Sequence, residues 1–220
     1  MIISPELQNF ICQLIIIPVL IGWLRWRHLD AALRFFVIYL SIGYFFELIN
    51  YWDFRPFAMN LINFGFDFPM AFFYFLFLSE CMQWENKNRY RCIYALSFIF
   101  LIGIDLVFAD LNHYRHSTCE LIFYFLNLIF SLMLVQRLNA TTFNRQQKKI
   151  LLAILIPNIV FHFLFVKSIA FFYFHYEPQW RYNIGIIHYL PIFLNVISYI
   201  IFSIAFLWIP KKEVFLRRIS

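Results

Sequence analysis

Nine residues able to bind or relay a ligand stand inside long apolar runs of this sequence: Glu47, Asn63, Asp67, Asp105, Glu120, Asn127, His162, His188 and Asn195. Asp67 lies within NLINFGFDFPMAFFYFLFL, residues 60–78, and Pro69 follows two places later. Carboxylates and imidazoles in such surroundings suit proton exchange, cation binding or metal ligation. Glu47, Asp67, Glu120, His162 and His188 offer the O and N donors that zinc accepts, and zinc could activate water for hydrolysis. The chain carries no HxxxH or HExxH pair, so any such site must be assembled from several segments.

The elements that must position these residues follow from hydropathy. Hydrophobic residues make up 63% of the chain and aromatic ones 23%. Mean hydropathy is +0.71. Only 14% of residues are charged, against about 25% in soluble domains. A spanning helix needs about 20 mostly apolar residues. The pattern predicts an all-α polytopic membrane protein, one bundle of seven transmembrane helices over roughly 6–24, 31–51, 57–79, 91–109, 117–136, 149–170 and 184–209. The gaps are too short for a separate catalytic module. MIISPELQNF carries Glu6 and no Lys or Arg, unlike a cleavable leader, so the first run reads as a retained span.

Charge gives the direction. Alternate gaps and the C-terminal stretch hold 14 Lys and Arg, the opposite set holds three, and Lys167 stands alone in the sixth span. Cytoplasmic loops carry the Lys/Arg excess. The N-terminus is therefore expected outside and the C-terminus in the cytoplasm. The six tryptophans fall near the predicted span ends, where interfacial belts favour them. The net charge of +6 is accounted for by these loops, and no basic aromatic face marks nucleic-acid binding. The four cysteines form no CxxC pair, although Cys12 and Cys119 could both lie toward the outer side. The NAT sequon at 139–141 falls in an expected cytoplasmic loop.

Within the spans the polar residues keep helical spacing. Asn60, Asn63, Asp67 and Tyr74 share one face; Ser41, Tyr44, Glu47 and Tyr51 another; Glu120, Tyr124, Asn127 and Ser131 a third. Asn158 and His162 are one turn apart, His188, Pro191, Asn195 and Ser198 are in line, and the fourth span offers Tyr94, Ser97 and Asp105. A central Asp facing lipid costs about 2.5–3.5 kcal/mol on insertion scales. These faces should turn inward and form a polar pocket that opens outward and closes toward the cytoplasm. The plain alternative is interhelical glue, at about 0.6 kcal/mol per hydrogen bond.

Four functions remain open at this level. A sensor or signalling-accessory protein would bind a small ligand, proton or cation in the pocket and meet a signalling partner at its basic cytoplasmic face. An intramembrane zinc-dependent hydrolase would act on lipid. A small-solute carrier would show internal repeats, and none is evident. Retinal photochemistry wants a core Lys in the last span, which has none before Lys211.

LRFFVIYLSIGYFFELINYW, NLINFGFDFPMAFFYF and IIHYLPIFLNVISYIIFSIAFLW resemble the second, third and last helices of a family of small uncharacterised bacterial seven-transmembrane-helix proteins. The matching marks are Glu47, Asn63 before an acid (Asp67, where Glu is more usual), and His188 before Asn195. The resemblance implies a heptahelical fold in the lipid of a bacterial inner membrane. It implies no reaction.

Overall fold

The computed structural model describes residues 10–51, 57–108, 118–140, 143–174 and 185–209. Side chains at 50, 51, 57–65, 67, 102, 104–108, 118–120, 139, 140, 165, 167–174 and 185–192 lie outside the description.

The described residues are all-helical, with no strand. Seven α-helices follow one another: α1 Ile16–Leu24, α2 Ala31–Tyr51, α3 Phe57–Cys81, α4 Lys87–Phe108, α5 Thr118–Ala140, α6 Arg145–Phe174 and α7 Gly185–Trp208. Each overlaps one of the apolar runs expected to span, although α1 covers only the second half of the expected 6–24. Three stretches are long and apolar enough to cross a membrane: Ala31–Ile49, Leu121–Leu138 and Arg145–Leu164.

Local chemistry explains where the helices start. Asp30 accepts the Leu33 amide at 3.0 Å and caps α2. Asn144 and Gln147 form a reciprocal capping box: the Gln147 amide donates to Asn144 Oδ1 at 2.8 Å, and the Asn144 amide to Gln147 Oε1 at 2.9 Å. That box starts α6 one turn before the expected 149. In α4 the extra N-terminal turn is held by Glu80, which binds both Lys87 and Arg91. Residues 10–13 are helical and lead into α1 through a tightened turn. Pro18 lacks the N–H that would reach the Leu14 carbonyl, and Ile17 supplies it instead at 3.1 Å.

Six helices close a ring in the order α1, α2, α3, α5, α6, α7, and α4 packs against α3 and α5. Gly22 permits close approach of α1 to α2, because a Cβ there would lie 2.5 Å from Val37 Cγ2. At the end of the ring that carries the basic loops, aromatic rings fill the centre. Phe36 touches Tyr39, Tyr74, Phe77, Phe202 and Phe206, and meets Phe202 edge-on at 5.1 Å. Leu33, Leu134, Leu138, Ile150, Ile154 and Leu155 complete the same core.

The outward faces are apolar too. Ile93, Leu96, Ile99 and Phe100 on α4, and Phe193, Ile197, Ile200, Ile204 and Leu207 on α7, are exposed. An apolar surface of this extent suits lipid or a partner rather than water.

Candidate functional site

Beyond the aromatic floor, toward the far end of the ring, the interior becomes polar. Tyr39, Tyr74, Tyr94, Tyr124, Asn127, Ser131, Asn158, His162, Ser198 and Tyr199 are buried at this level. They come from six helices, α2 to α7. The apolar core residues one turn nearer the basic end are Phe36, Phe77, Leu134, Ile154 and Phe202, so the change in character is layered.

His162 stands at the centre of the belt. Its ring stacks on Tyr74 at 4.9 Å, lies 5.4 Å from Tyr124 and meets Phe161 edge-on. Its Nδ1 is 2.6 Å from the Asn158 carbonyl. A carbonyl only accepts, so Nδ1 carries the proton and the tautomer is set. Asn158, one turn back on α6, donates through Nδ2 to the Ile154 carbonyl at 2.8 Å and accepts from the Tyr39 hydroxyl at 3.4 Å. Tyr39 thus reaches from α2 to α6.

A second group bridges α3, α4 and α5. Ser131 donates to the Asn127 carbonyl at 2.7 Å. The one hydroxyl proton of Ser131 is then used, so Tyr74 is the donor in the 3.0 Å contact between the two hydroxyls. Tyr94 donates to Asn127 Oδ1 at 3.1 Å, and Asn127 Nδ2 donates to the Ala71 carbonyl at 3.4 Å. Phe75, itself buried, stacks on Tyr94 at 3.9 Å.

Glu47 belongs to a third group. Its carboxyl lies beside the Cys12 thiol, close enough for the two to interact. Tyr199 of α7 lies within electrostatic reach of Glu47, Cys12 and Tyr39. Tyr39 is 5.3 Å from Tyr74 by ring centroids. Glu47 and His162 are therefore not partners, yet a series of tyrosines runs between their surroundings.

Of the nine candidates named from the sequence, Asn127 and His162 are buried and hydrogen-bonded, and Glu47 is half-buried against Cys12. Asn195 is half-buried on α7. The side chains of Asn63, Asp67, Asp105, Glu120 and His188 lie outside the described residues. Among the described residues no group of three His, Cys, Asp or Glu could hold a metal ion, and Cys12, Cys81 and Cys92 are free thiols. Tyr39 and Tyr199 enter the belt, and Cys12 the Glu47 group, without having been singled out as site residues. Their only sequence signal was helical spacing, Tyr39 one turn from Phe36 and Tyr199 next to Ser198. Ser41, expected beside Glu47, instead accepts the Trp23 indole N–H at 3.0 Å and donates to the Val37 carbonyl.

The basic end is closed by side-chain contacts. Arg25 donates to the Leu207 carbonyl at 2.9 Å and to the Ile209 carbonyl, and Gln146 donates to the Trp208 carbonyl at 2.9 Å. These are the last carbonyls of α7, where a cation is favoured by the helix dipole. Glu80, just past the 57–79 span, receives Lys87 at 2.9 Å and Arg91 at 2.7 Å. Burial works against its charge, but the hydrogen bonds from Lys87 and Arg91 outweigh it and hold the carboxyl below its ordinary range. No protein family, curated protein or solved structure matches the chain.

Proposed function

We propose that this chain is a seven-span protein of a bacterial inner membrane, N-terminus outside, that binds a small ligand, proton or cation in its outer half and serves as a sensory or signalling-accessory protein. The exposed apolar faces of α4 and α7 support the membrane setting, and the 14-to-3 bias of Lys and Arg supports the orientation. In that orientation the Phe36-centred core is the cytoplasmic half.

The observation that carries the reading is the layering. Tyr39, Tyr74, Asn127, Asn158 and His162 gather beyond the aromatic floor, whose own buried polar side chains are Ser79 and Ser203, and Phe36, Phe77, Phe202 and Phe206 close the ring below them. A binding site that is open on one side and sealed on the other suits detection. A carrier needs access from both sides in turn, and the sealed floor weighs against that alternative. The zinc-hydrolase reading draws no support from the described residues, among which no three His, Cys, Asp or Glu are grouped to hold a metal ion. In the sequence, Asp67 lies two turns from Tyr74, and Glu120 two turns from Asn127, both in the outward direction. That spacing is the reason to place the acids above the belt.

One-sided thiol labelling tests this. In a background without native cysteines, Glu47→Cys, Asp67→Cys and Glu120→Cys should react with a membrane-impermeant maleimide added from the periplasmic side. They should not react when it is added from the cytoplasmic side. Failure to label from the periplasm at all three positions would overturn the outward pocket, and labelling from both sides would favour the carrier.

A further inference from the structure

Eight of the cations at the basic end fall into two groups. Arg25, Arg34, Lys87 and Arg91 are engaged internally, by α7 carbonyls, by the Trp26 carbonyl and ring, and by Glu80. Arg27, Arg89, Arg145 and Lys149 are exposed and make no ion pair or side-chain hydrogen bond among the described residues. They come from three separate stretches that the ring brings to one end.

Arg27 and Arg89 each adjoin an aromatic in sequence, and Arg145 and Lys149 lie in the helix turn whose Gln146 binds the end of α7 that carries Trp208. Arg27 follows Trp26, which stacks on Trp23 at 4.6 Å. Arg89 precedes Tyr90, whose ring lies 5.0 Å from Trp84. Trp23, Tyr90 and Trp208 are themselves about half exposed, at 49%, 46% and 53%. Indole and phenol rings settle at the level of lipid headgroups, apolar body inward and polar edge outward. A cation next to such a ring is held at phosphate depth, on the rim of the apolar surface.

We propose that Arg27, Arg89, Arg145 and Lys149 bind the phosphate headgroups of anionic lipids. This rests on reading this end as the cytoplasmic one, where the anionic leaflet attracts juxtamembrane cations. The rim position beside exposed rings favours lipid over an acidic protein segment, which would need the cations on the end face and free of the lipid boundary.

The test uses the full chain in nanodiscs of phosphatidylcholine mixed with phosphatidylglycerol, and reads the relative association of the two lipids by spin-label resonance. The wild-type chain should prefer phosphatidylglycerol, and added salt should weaken that preference. Arg27→Gln and Arg89→Gln singly should each reduce it by about fivefold, and the four-fold variant with Arg145→Gln and Lys149→Gln should abolish it. Lys87→Gln and Arg91→Gln make the same charge change at the same end; they should lower thermal stability in both lipids and leave the preference intact. An unchanged preference in the four-fold variant would overturn the proposal, as would equal loss in the Lys87 and Arg91 variants. If inorganic phosphate protected the protein equally well in detergent, the site would belong to soluble anions. If the four-fold variant lost only polyglutamate binding, the face would belong to an acidic partner. Nanodisc leaflets are identical, so an error of orientation would show in the thiol labelling and not in this experiment.

Discussion

The aromatic floor and the polar belt are made by the same helices, one turn apart, and they are held together by different forces. In the floor, Phe36 touches five rings, three of them phenylalanines and two the faces of the belt tyrosines Tyr39 and Tyr74. In the belt, Asn127, Asn158 and His162 each use hydrogen bonds to close the gap between helices or to bind their own backbone. Dispersion fixes shape but is indifferent to chemistry, and it leaves nothing to bind. Hydrogen bonds are individually weak between membrane helices, about 0.6 kcal/mol on average. The belt should therefore contribute less to stability than the floor, while being the only layer with groups a polar ligand could engage.

The largest expected effect tests the floor. Phe36→Ala removes five ring contacts and should destabilise the chain by about 3–5 kcal/mol, read as a fall in the midpoint of thermal unfolding in detergent. A loss below about 1 kcal/mol would mean that the floor is loosely packed and the contrast is false. Next comes Asn127→Leu, which removes the side-chain acceptor of the Tyr94 hydroxyl and the donor to the Ala71 carbonyl, at a cost of about 1–2 kcal/mol. The Ala71 carbonyl, 3.5 Å from that hydroxyl, offers a fallback acceptor and keeps the cost at the low end. Tyr74→Phe should cost about 0.6 kcal/mol, because Ser131 keeps its own bond to the Asn127 carbonyl. The smallest effect lies outside both layers. Glu80 has a lowered folded pKa, so its contribution is complete above the ordinary value of 4.5 and is lost as pH falls through the folded value. Glu80→Gln should remove that acid-side loss, worth about 0.5 kcal/mol or less after solvent screening, from a plot of unfolding midpoint against pH.

How far the sequence led depended on the solvent it was written for. The positions of the helices were legible because an apolar run of spanning length leaves the backbone few alternatives to a helix. Their starts were less so: Arg145, Lys148 and Lys149 read as loop, whereas the Asn144–Gln147 box folds them into α6. Asn127, Ser131, Asn158 and His162 were legible as interior, since hydrocarbon disfavours them. The floor was not. Phe36, Phe77, Phe202 and Phe206 look the same in sequence as Phe125, Phe163 and Phe193, which are exposed, because an apolar face suits lipid as well as core. The Cys12 contact with Glu47 was missed for a related reason, as a cysteine in an apolar run reads as one more small hydrophobe.

The central claim is that the acids named from the sequence share one space above the belt. It is tested most directly by a side-chain-resolution map of the chain in a lipid nanodisc. The account predicts that Glu47, Asp67, Glu120 and His188 face a common water- or ligand-filled volume bounded below by Tyr39, Tyr74 and Tyr199. A map in which those side chains point to separate lipid-facing surfaces, or are each satisfied by their own helix in a dry interior, would contradict it and leave a scaffold.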